Sequence, residues 1–267
     1  MRKIIASIYS FGVNKYIEKK VFQGSPVWHQ RIFKATRAEY VHSAYGPLMK
    51  ANWGDETFKM CYFGSYGKGL SGFLGKIVDD FTFLDIGANQ GIYTLVALMN
   101  KKCCQVVAFE PVAETFTMLS NNVGENRCTS RVKLVNKAIS STNGIAQITI
   151  QRSHSGKASL ESALCSVDNT EAQVTEKIST INSSELQKIV GIAANIIVKI
   201  DVEGHEEVVI NELIKSSFFH NVSAIFYEVD KAWTRKSELK AILEDHGFNH
   251  FTQYGRGKHY DILACRA

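Results

Sequence analysis

From Phe81 onward, short apolar runs rich in β-branched residues alternate with stretches whose apolar positions recur at helical spacing. The runs FTFLDI, QVVAFE, VKLVN, IIVKID and SAIFYEV predict strands. Most are nearly continuous in apolar residues and end on a polar or acidic one, as central parallel strands covered by helices on both faces do. Between them the spacing predicts helices over 92–100, 113–122, 205–215 and 234–246, the last stopped by Gly247. HFTQY and YDILACR, joined by GRGKH, predict a closing antiparallel pair. Repeated βα units build a parallel sheet, and the C-terminal ends of its strands form the ligand edge.

Two regions break this rhythm. Between Ala138 and Ile196 the chain is too long for one helix and holds a further strand-like run, IAQITIQ, followed by RSHSGKASLES. This predicts an insertion near the site, with the polar stretch a solvated loop or, alternatively, part of an acceptor pocket. Before Phe81, the aromatic-rich TFKMCYF predicts a short strand and the glycine-containing SYGKGLSGFLGK a flexible approach. Ile4, Ile5, Ile8, Tyr16 and Ile17 share one helix face, leaving Lys15, Lys19 and Lys20 to solvent. Such a helix packs on the protein body or a second subunit, or lies on a membrane surface. The division is therefore a cap or oligomerisation segment over 1–75 and a main domain over 76–267.

Length and composition narrow the class. A chain of 267 residues, 45% hydrophobic and 21% charged, holds one large α/β core with additions. A net charge of +5 without a Lys/Arg run gives no support for a nucleic-acid partner. Six cysteines without a C-x-x-C pair read as reduced thiols, which suits a cytoplasmic protein, and no apolar stretch reaches transmembrane length.

The chemistry concentrates in DIGANQG and in the acid that ends the next strand. A strand turning tightly into a helix close to a ligand needs glycine, at Gly87 and Gly91, and Asp85, Ala88 and Asn89 complete the turn. Glu110, followed by Pro111, stands where a carboxylate accepts hydrogen bonds from ribose hydroxyls, and Asn136 follows the third strand, where a polar group meets an adenine edge. The ligand is then an adenosine derivative. A pyrophosphate disfavours neighbouring acids, whereas the sulfonium and ammonium of S-adenosylmethionine are attracted by Asp85, Asp201 and Glu203. The loop also lacks G-x-G-x-x-G, because Asn89 stands at the second glycine. S-adenosylmethionine is the expected cofactor, and an NAD-dependent oxidoreductase is the alternative.

DIGANQGIYT, AFEP with Phe116 and Asn122 downstream, and VKIDVEGHE together resemble the signature blocks of the FkbM-type methyltransferases, in order, over roughly residues 81–228. The resemblance implies a Rossmann-like class I methyltransferase fold. Its sheet would be mostly parallel and seven-stranded, with an antiparallel last strand and a helical N-terminal extension. It also implies O-methylation of a sugar, glycan or related metabolite, with Asp201, Glu203 and Gly204 at the site. Ile181 and Asn182 depart from the Leu-Asp often found before the fourth core strand.

Read physically, KIDVEGHEEVVINEL is a strand, a turn at Gly204 and a helix, which gathers Asp201, Glu203 and His205 at the ligand edge. An attacking hydroxyl benefits from a base, either His205 or Asp201. A divalent Mg²⁺ or Mn²⁺ held by Asp201, Glu203 and Glu228 is a third way to lower the hydroxyl's pKa. A non-catalytic binding module is the alternative outside enzymology.

Overall fold

A central seven-stranded sheet carries the ligand edge in the computed structural model, which describes residues 38–151, 155–156, 158–160, 173–230 and 236–266. The amphipathic face around Ile4–Ile17 lies outside these residues. In chain order the elements begin with β1 (Tyr40–His42), β2 (Leu48–Lys50), α1 (Glu56–Phe63) and α2 (Lys68–Leu74). β3 (Phe81–Ile86), α3 (Ile92–Met99), β4 (Cys103–Phe109), α4 (Ala113–Glu125) and β5 (Val132–Val135) follow. Then come β6 (Ala138–Ile139), β7 (Gly144–Gln151), β8 (Gln173–Ile181), α5 (Ser183–Val190), β9 (Ile196–Ile200) and α6 (Glu206–Ile214). The chain closes with β10 (Val222–Asp230), α7 (Lys236–Asp245), β11 (Phe248–Tyr254) and β12 (His259–Arg266).

The large sheet has the order β11-β12-β10-β9-β3-β4-β5, and only β12 runs against its neighbours. Chain direction reverses its spread between β3 and β9, so the crevice opens at the ends of those two strands. Alternation along β3 divides the core: Leu84 and Ile86 pack with Val209, Leu213, Leu186 and Leu243 on one face. Phe81 and Phe83 pack with Leu95, Leu119, Phe58, Leu70 and Leu74 on the other. Each fully buried Phe or Leu contributes about 1.5–3 kcal/mol. The insertion after β5 forms a separate three-stranded sheet, β6-β8-β7.

The segment before Phe81 corrects the expectation of a strand and a flexible approach, because TFKMCYF lies in α1 and KGLSGFL is α2. Local capping decides this: Asp55 is extended and its carboxylate accepts from Phe58 N at 2.7 Å, while Gly64 ends the helix at φ 76°. Leu70 and Leu74, four apart, bury one face of α2. Helix α5 was not expected; Asn182 caps it by accepting from Ser184 N at 3.1 Å, and Leu186 and Val190 bury its inner face. The departure at Asn182 from Leu-Asp therefore keeps a side chain able to start a helix. Among the described residues no helix is long and apolar enough to cross a membrane, and Cys61, Cys103, Cys104, Cys128 and Cys265 are free thiols.

Candidate active site

The turn after β3 is shaped by the protein's own packing. Gly87 has φ 73°, and a Cβ there would lie 1.9 Å from the Asp201 carbonyl oxygen; Gly91 has φ 89°, and its Cβ would lie 2.4 Å from Leu119 Cδ1. The two glycines therefore let β9 and α4 close on the loop, a different reason from the ligand approach expected of them. Gly87 N and Ala88 N both donate to Phe109 O, at 3.0 and 2.9 Å, which fastens the turn to the end of β4. Asn89 (φ 52°) and Glu203 (φ 52°) adopt left-handed backbone conformations at the ligand edge.

Glu110 is buried beside this turn. Its Oε2 accepts from Asn89 N at 2.9 Å and its Oε1 from Val112 N at 3.0 Å. Burial pushes its carboxyl up to about 7, against the two backbone donors. Each oxygen keeps a further lone pair, and Glu110 faces a cleft of about 620 Å³ that Gly87, Asn89, Pro111, Asp201, Glu203 and His205 also line. Ser155, Gly156, Ala158 and Leu160 lie on the same cleft, so the described part of RSHSGKASLES is a wall of it and not a solvated loop. Ser155 is tied down by Asp55 Oδ2, which accepts its N–H at 2.7 Å, and by Asn89 Oδ1, which accepts its hydroxyl at 3.0 Å.

Two expected residues stand off the cleft. Asp85 is fully buried beneath the loop and is not on the cleft; it accepts from Thr94 Oγ1 at 2.6 Å and lies 3.6 Å from Lys199 Nζ. Burial raises its pKa, opposed by Lys199 and Thr94. Asn136 is likewise not among the residues that line the cleft; its amide donates to the carbonyls of Glu110 at 2.8 Å and Pro111 at 3.0 Å and so fixes the acid's backbone. Its neighbour Lys137 lines the cleft instead.

Sequence reasoning passed over Lys199, although a lysine inside the apolar run IIVKI is itself a signal. Its ammonium is buried between Asp85 (3.6 Å) and Asp201 (3.5 Å) and donates to the carbonyls of Ile86 at 3.3 Å and Gly87 at 2.5 Å. Burial pulls its pKa down, but Asp201, Asp85 and Glu110 outweigh that and leave it raised. Asp201 Oδ2 also accepts from the Tyr66 hydroxyl at 3.0 Å, a partner contributed by the N-terminal segment.

Carboxylate oxygens of Asp201, Glu203 and Glu228 come within 4.8 Å of one another, and Asp261 stands opposite Glu228 in the sheet. Burial, followed by Asp201, Glu203 and Glu206, drives Glu228 up to about 10; burial and Asp201 raise Asp261 to about 7. Glu206 stays near the turn, accepting from Val202 N and Gly204 N at 3.2 Å each, and burial raises it to about 7. His205 lines the cleft with Nε2 3.2 Å from Ser140 Oγ.

The strand order with one antiparallel strand, the glycine turn after β3 and the acid ending β4 define a Rossmann-like class I methyltransferase. The family model described as the Methyltransferase FkbM domain matches residues 85–249, more than half of the chain, and the protein belongs to the FkbM methyltransferase family. No curated protein matches the sequence. Among solved structures, the chain is similar to M. capricolum TrmK in complex with S-adenosyl-homocysteine, at 13% identity and a TM-score of 0.45, over 74% of this chain and 67% of that one. A putative tRNA methyltransferase of Streptococcus pneumoniae in complex with S-adenosyl-L-methionine gives 13% and 0.45, over 74% and 71%. A protein of the NADB-Rossmann superfamily from Streptococcus agalactiae gives 14% and 0.45, over 75% and 68%.

Proposed function

We propose that this methyltransferase uses S-adenosylmethionine to methylate a hydroxyl group of a sugar, glycan or related metabolite. The observation that carries the reading is that Glu110, anchored to the glycine turn, and Asp201, at the tip of β9, face one cleft. Glu110 has the lone pairs to accept both ribose hydroxyls, and Pro111 and Ile139 offer apolar walls to a purine. The bound cofactor supplies the electrophilic methyl group.

The chain's own residues supply the rest. Asp201, which lines the cleft and whose Oδ2 is held by Tyr66, takes the proton of the attacking hydroxyl. Glu228, protonated at neutral pH, offers a hydrogen-bond donor beside it. Carboxylates around the reacting hydroxyl disfavour an acceptor that carries phosphate there, which supports a neutral polyol over a nucleic acid. Asp201, Glu203 and Glu228 would hold a Mg²⁺ or Mn²⁺ ion if one binds, and that ion would replace the Glu228 proton and acidify the hydroxyl.

The test is incubation with isotopically labelled S-adenosylmethionine and a panel of glycans and sugar nucleotides, read by mass spectrometry. Label on a hydroxyl oxygen is expected, with Asp201→Asn lowering turnover about 10²–10⁴-fold and His205→Ala much less. Full activity of Asp201→Asn would remove its role as base, and full activity in excess chelator would remove the metal. Cofactor binding without transfer to any acceptor would favour a binding module.

A further inference from the structure

Two side chains hold the Asp201 carboxylate, and both reach the same oxygen. The Tyr66 hydroxyl donates to Oδ2 at 3.0 Å, and the Lys199 ammonium lies 3.5 Å from it. Lys199 is divided among several partners, since it also donates to Gly87 O at 2.5 Å and Ile86 O at 3.3 Å and faces Asp85 at 3.6 Å. Tyr66 is therefore the closer and more directional of the two. Acid groups crowd the other side, where carboxyl oxygens of Glu203 and Glu228 come within 4.8 Å of that of Asp201. Repulsion between like groups favours turning the Asp201 side chain away from them, and a fixed donor opposes that turn.

The N-terminal segment is built to hold this donor in place. Tyr66 stands on the link 64–67 between α1 and α2, outside the matched family span of 85–249. The Tyr45 hydroxyl donates to Tyr66 O, and the Tyr93 hydroxyl donates to Gly67 O at 3.2 Å. Gly67 has φ 49°, and a Cβ there would lie 1.4 Å from Tyr93 Oη, so the link closes directly on α3. The Tyr66 and Tyr93 rings lie 5.6 Å apart at 33°, an aromatic contact that fixes the phenol independently of its hydroxyl.

We infer that Tyr66 is a positioning residue for methyl transfer, its hydroxyl pinning Asp201 Oδ2 so that Oδ1 is the oxygen that takes the acceptor's proton. The acceptor oxygen bonds the methyl carbon, the carbon–sulfur electron pair returns to the sulfonium sulfur, and the hydroxyl proton passes to Oδ1. The inference rests on Asp201 as the base in the proposed function. It gives residues 45–67, which build and carry the donor, a part in catalysis.

Single-turnover transfer from labelled S-adenosylmethionine to the acceptor that takes the label tests it on the full chain, with Tyr66→Phe, Asp201→Asn and the double variant. Tyr66→Phe keeps the ring contact and should slow transfer by up to about 10²-fold. The acceptor KM, and the affinity for S-adenosylhomocysteine by calorimetry, should stay within about threefold of wild type. In the Asp201→Asn background the same change should cost less than about twofold, because the partner it acts through is gone. A spectroscopic arm needs no acceptor: in protein carrying isotope-labelled tyrosine, the Tyr66 resonance, assigned by its loss in Tyr66→Phe, should move in Asp201→Asn.

Wild-type turnover in Tyr66→Phe overturns the inference and leaves Asp201 as the base. An equal loss in both backgrounds also overturns it, by marking a role not exerted through Asp201. A parallel loss of S-adenosylhomocysteine affinity does so too, by marking Tyr66 as a strut of the fold, and so does an unmoved tyrosine resonance. Full activity of Asp201→Asn, or a wild-type protein that labels no acceptor, removes the base itself, and the inference then falls with the proposed function.

Discussion

Glu110 ties the binding chemistry to pH. Its carboxyl accepts from Asn89 N and Val112 N, yet burial raises it to about 7. Below that pH the group carries a proton, and one lone pair is lost to the ribose hydroxyls; above it the carboxylate is the better acceptor. The affinity for S-adenosylmethionine should therefore rise from pH 6 to pH 8, by up to about tenfold for the unit below the pKa, and Glu110→Gln should flatten the dependence. Titration calorimetry at pH 6, 7 and 8 measures both. An unchanged wild-type affinity would mean that the bound ribose does not depend on the ionised acid. At the same scale, Gly87 and Gly91 have a packing reason that their place in the turn did not reveal. The atoms that exclude a side chain belong to Asp201 and Leu119, which are distant in sequence.

Two helix starts differ in how far their effects extend. Asn182 is half-buried, and its side chain caps α5 by accepting from the N–H and hydroxyl of Ser184. Asn182→Ala should cost about 1 kcal/mol in urea unfolding and leave cofactor binding unchanged. Asp55 caps α1 but also accepts from Gln90 Nε2 and Ser155 N, and it is 3% exposed. Removing it strips an acceptor from Phe58 N, Gln90 Nε2 and Ser155 N in three segments, so Asp55→Ala should cost about 3 kcal/mol and weaken cofactor binding as well. Comparable effects of the two substitutions would show that the Asp55 network does not link cap and site. Asn122 makes a similar link, donating to Gln90 O at 2.8 Å and accepting from Lys50 N at 2.7 Å. None of these ties is visible in local spacing, because each joins elements separated by tens of residues.

For the molecule as a whole, the acidic ligand edge opposes folding near neutral pH. Glu110, Glu206 and Asp261 are raised to about 7 and Glu228 to about 10, chiefly by burial. A carboxyl with a raised folded-state pKa binds its proton more tightly in the native state. Its contribution is full below the unfolded value and is lost as pH rises through the folded one. Glu185 and Glu212 are lowered, Glu185 by Lys188 and Glu212 by Lys215 and Ser183 despite burial, and lose their contributions only as the solution becomes more acidic than about pH 4.5. The melting temperature of the ligand-free protein should accordingly fall between pH 5 and pH 8. Saturating S-adenosylmethionine, which brings positive charge to this edge, should reduce the fall. Differential scanning calorimetry with and without the cofactor checks this, and a melting temperature that climbs steadily to pH 8 would contradict it.

Local order was legible in the sequence because it depends on near neighbours. Apolar runs of strand length, the glycine turn, the acid at the end of the next strand and the order of the three signature blocks were enough for the sheet and the family. The N-terminal segment was misread where aromatic residues suggested a strand, since Asp55 and Gly64 favour a helix and the packing of Phe58 and Cys61 on the main core completes it. Which acid lines the cleft was likewise beyond the sequence. Asp85 and Asp201 both end apolar runs, and only the close approach of β3, β9 and α3 buries the first against Lys199 while leaving the second on the cleft. The ties that join Asp55, Gln90 and Ser155 form only once the N-terminal segment, the glycine turn and the insertion have closed on one another, because each partner comes from a different part of the chain.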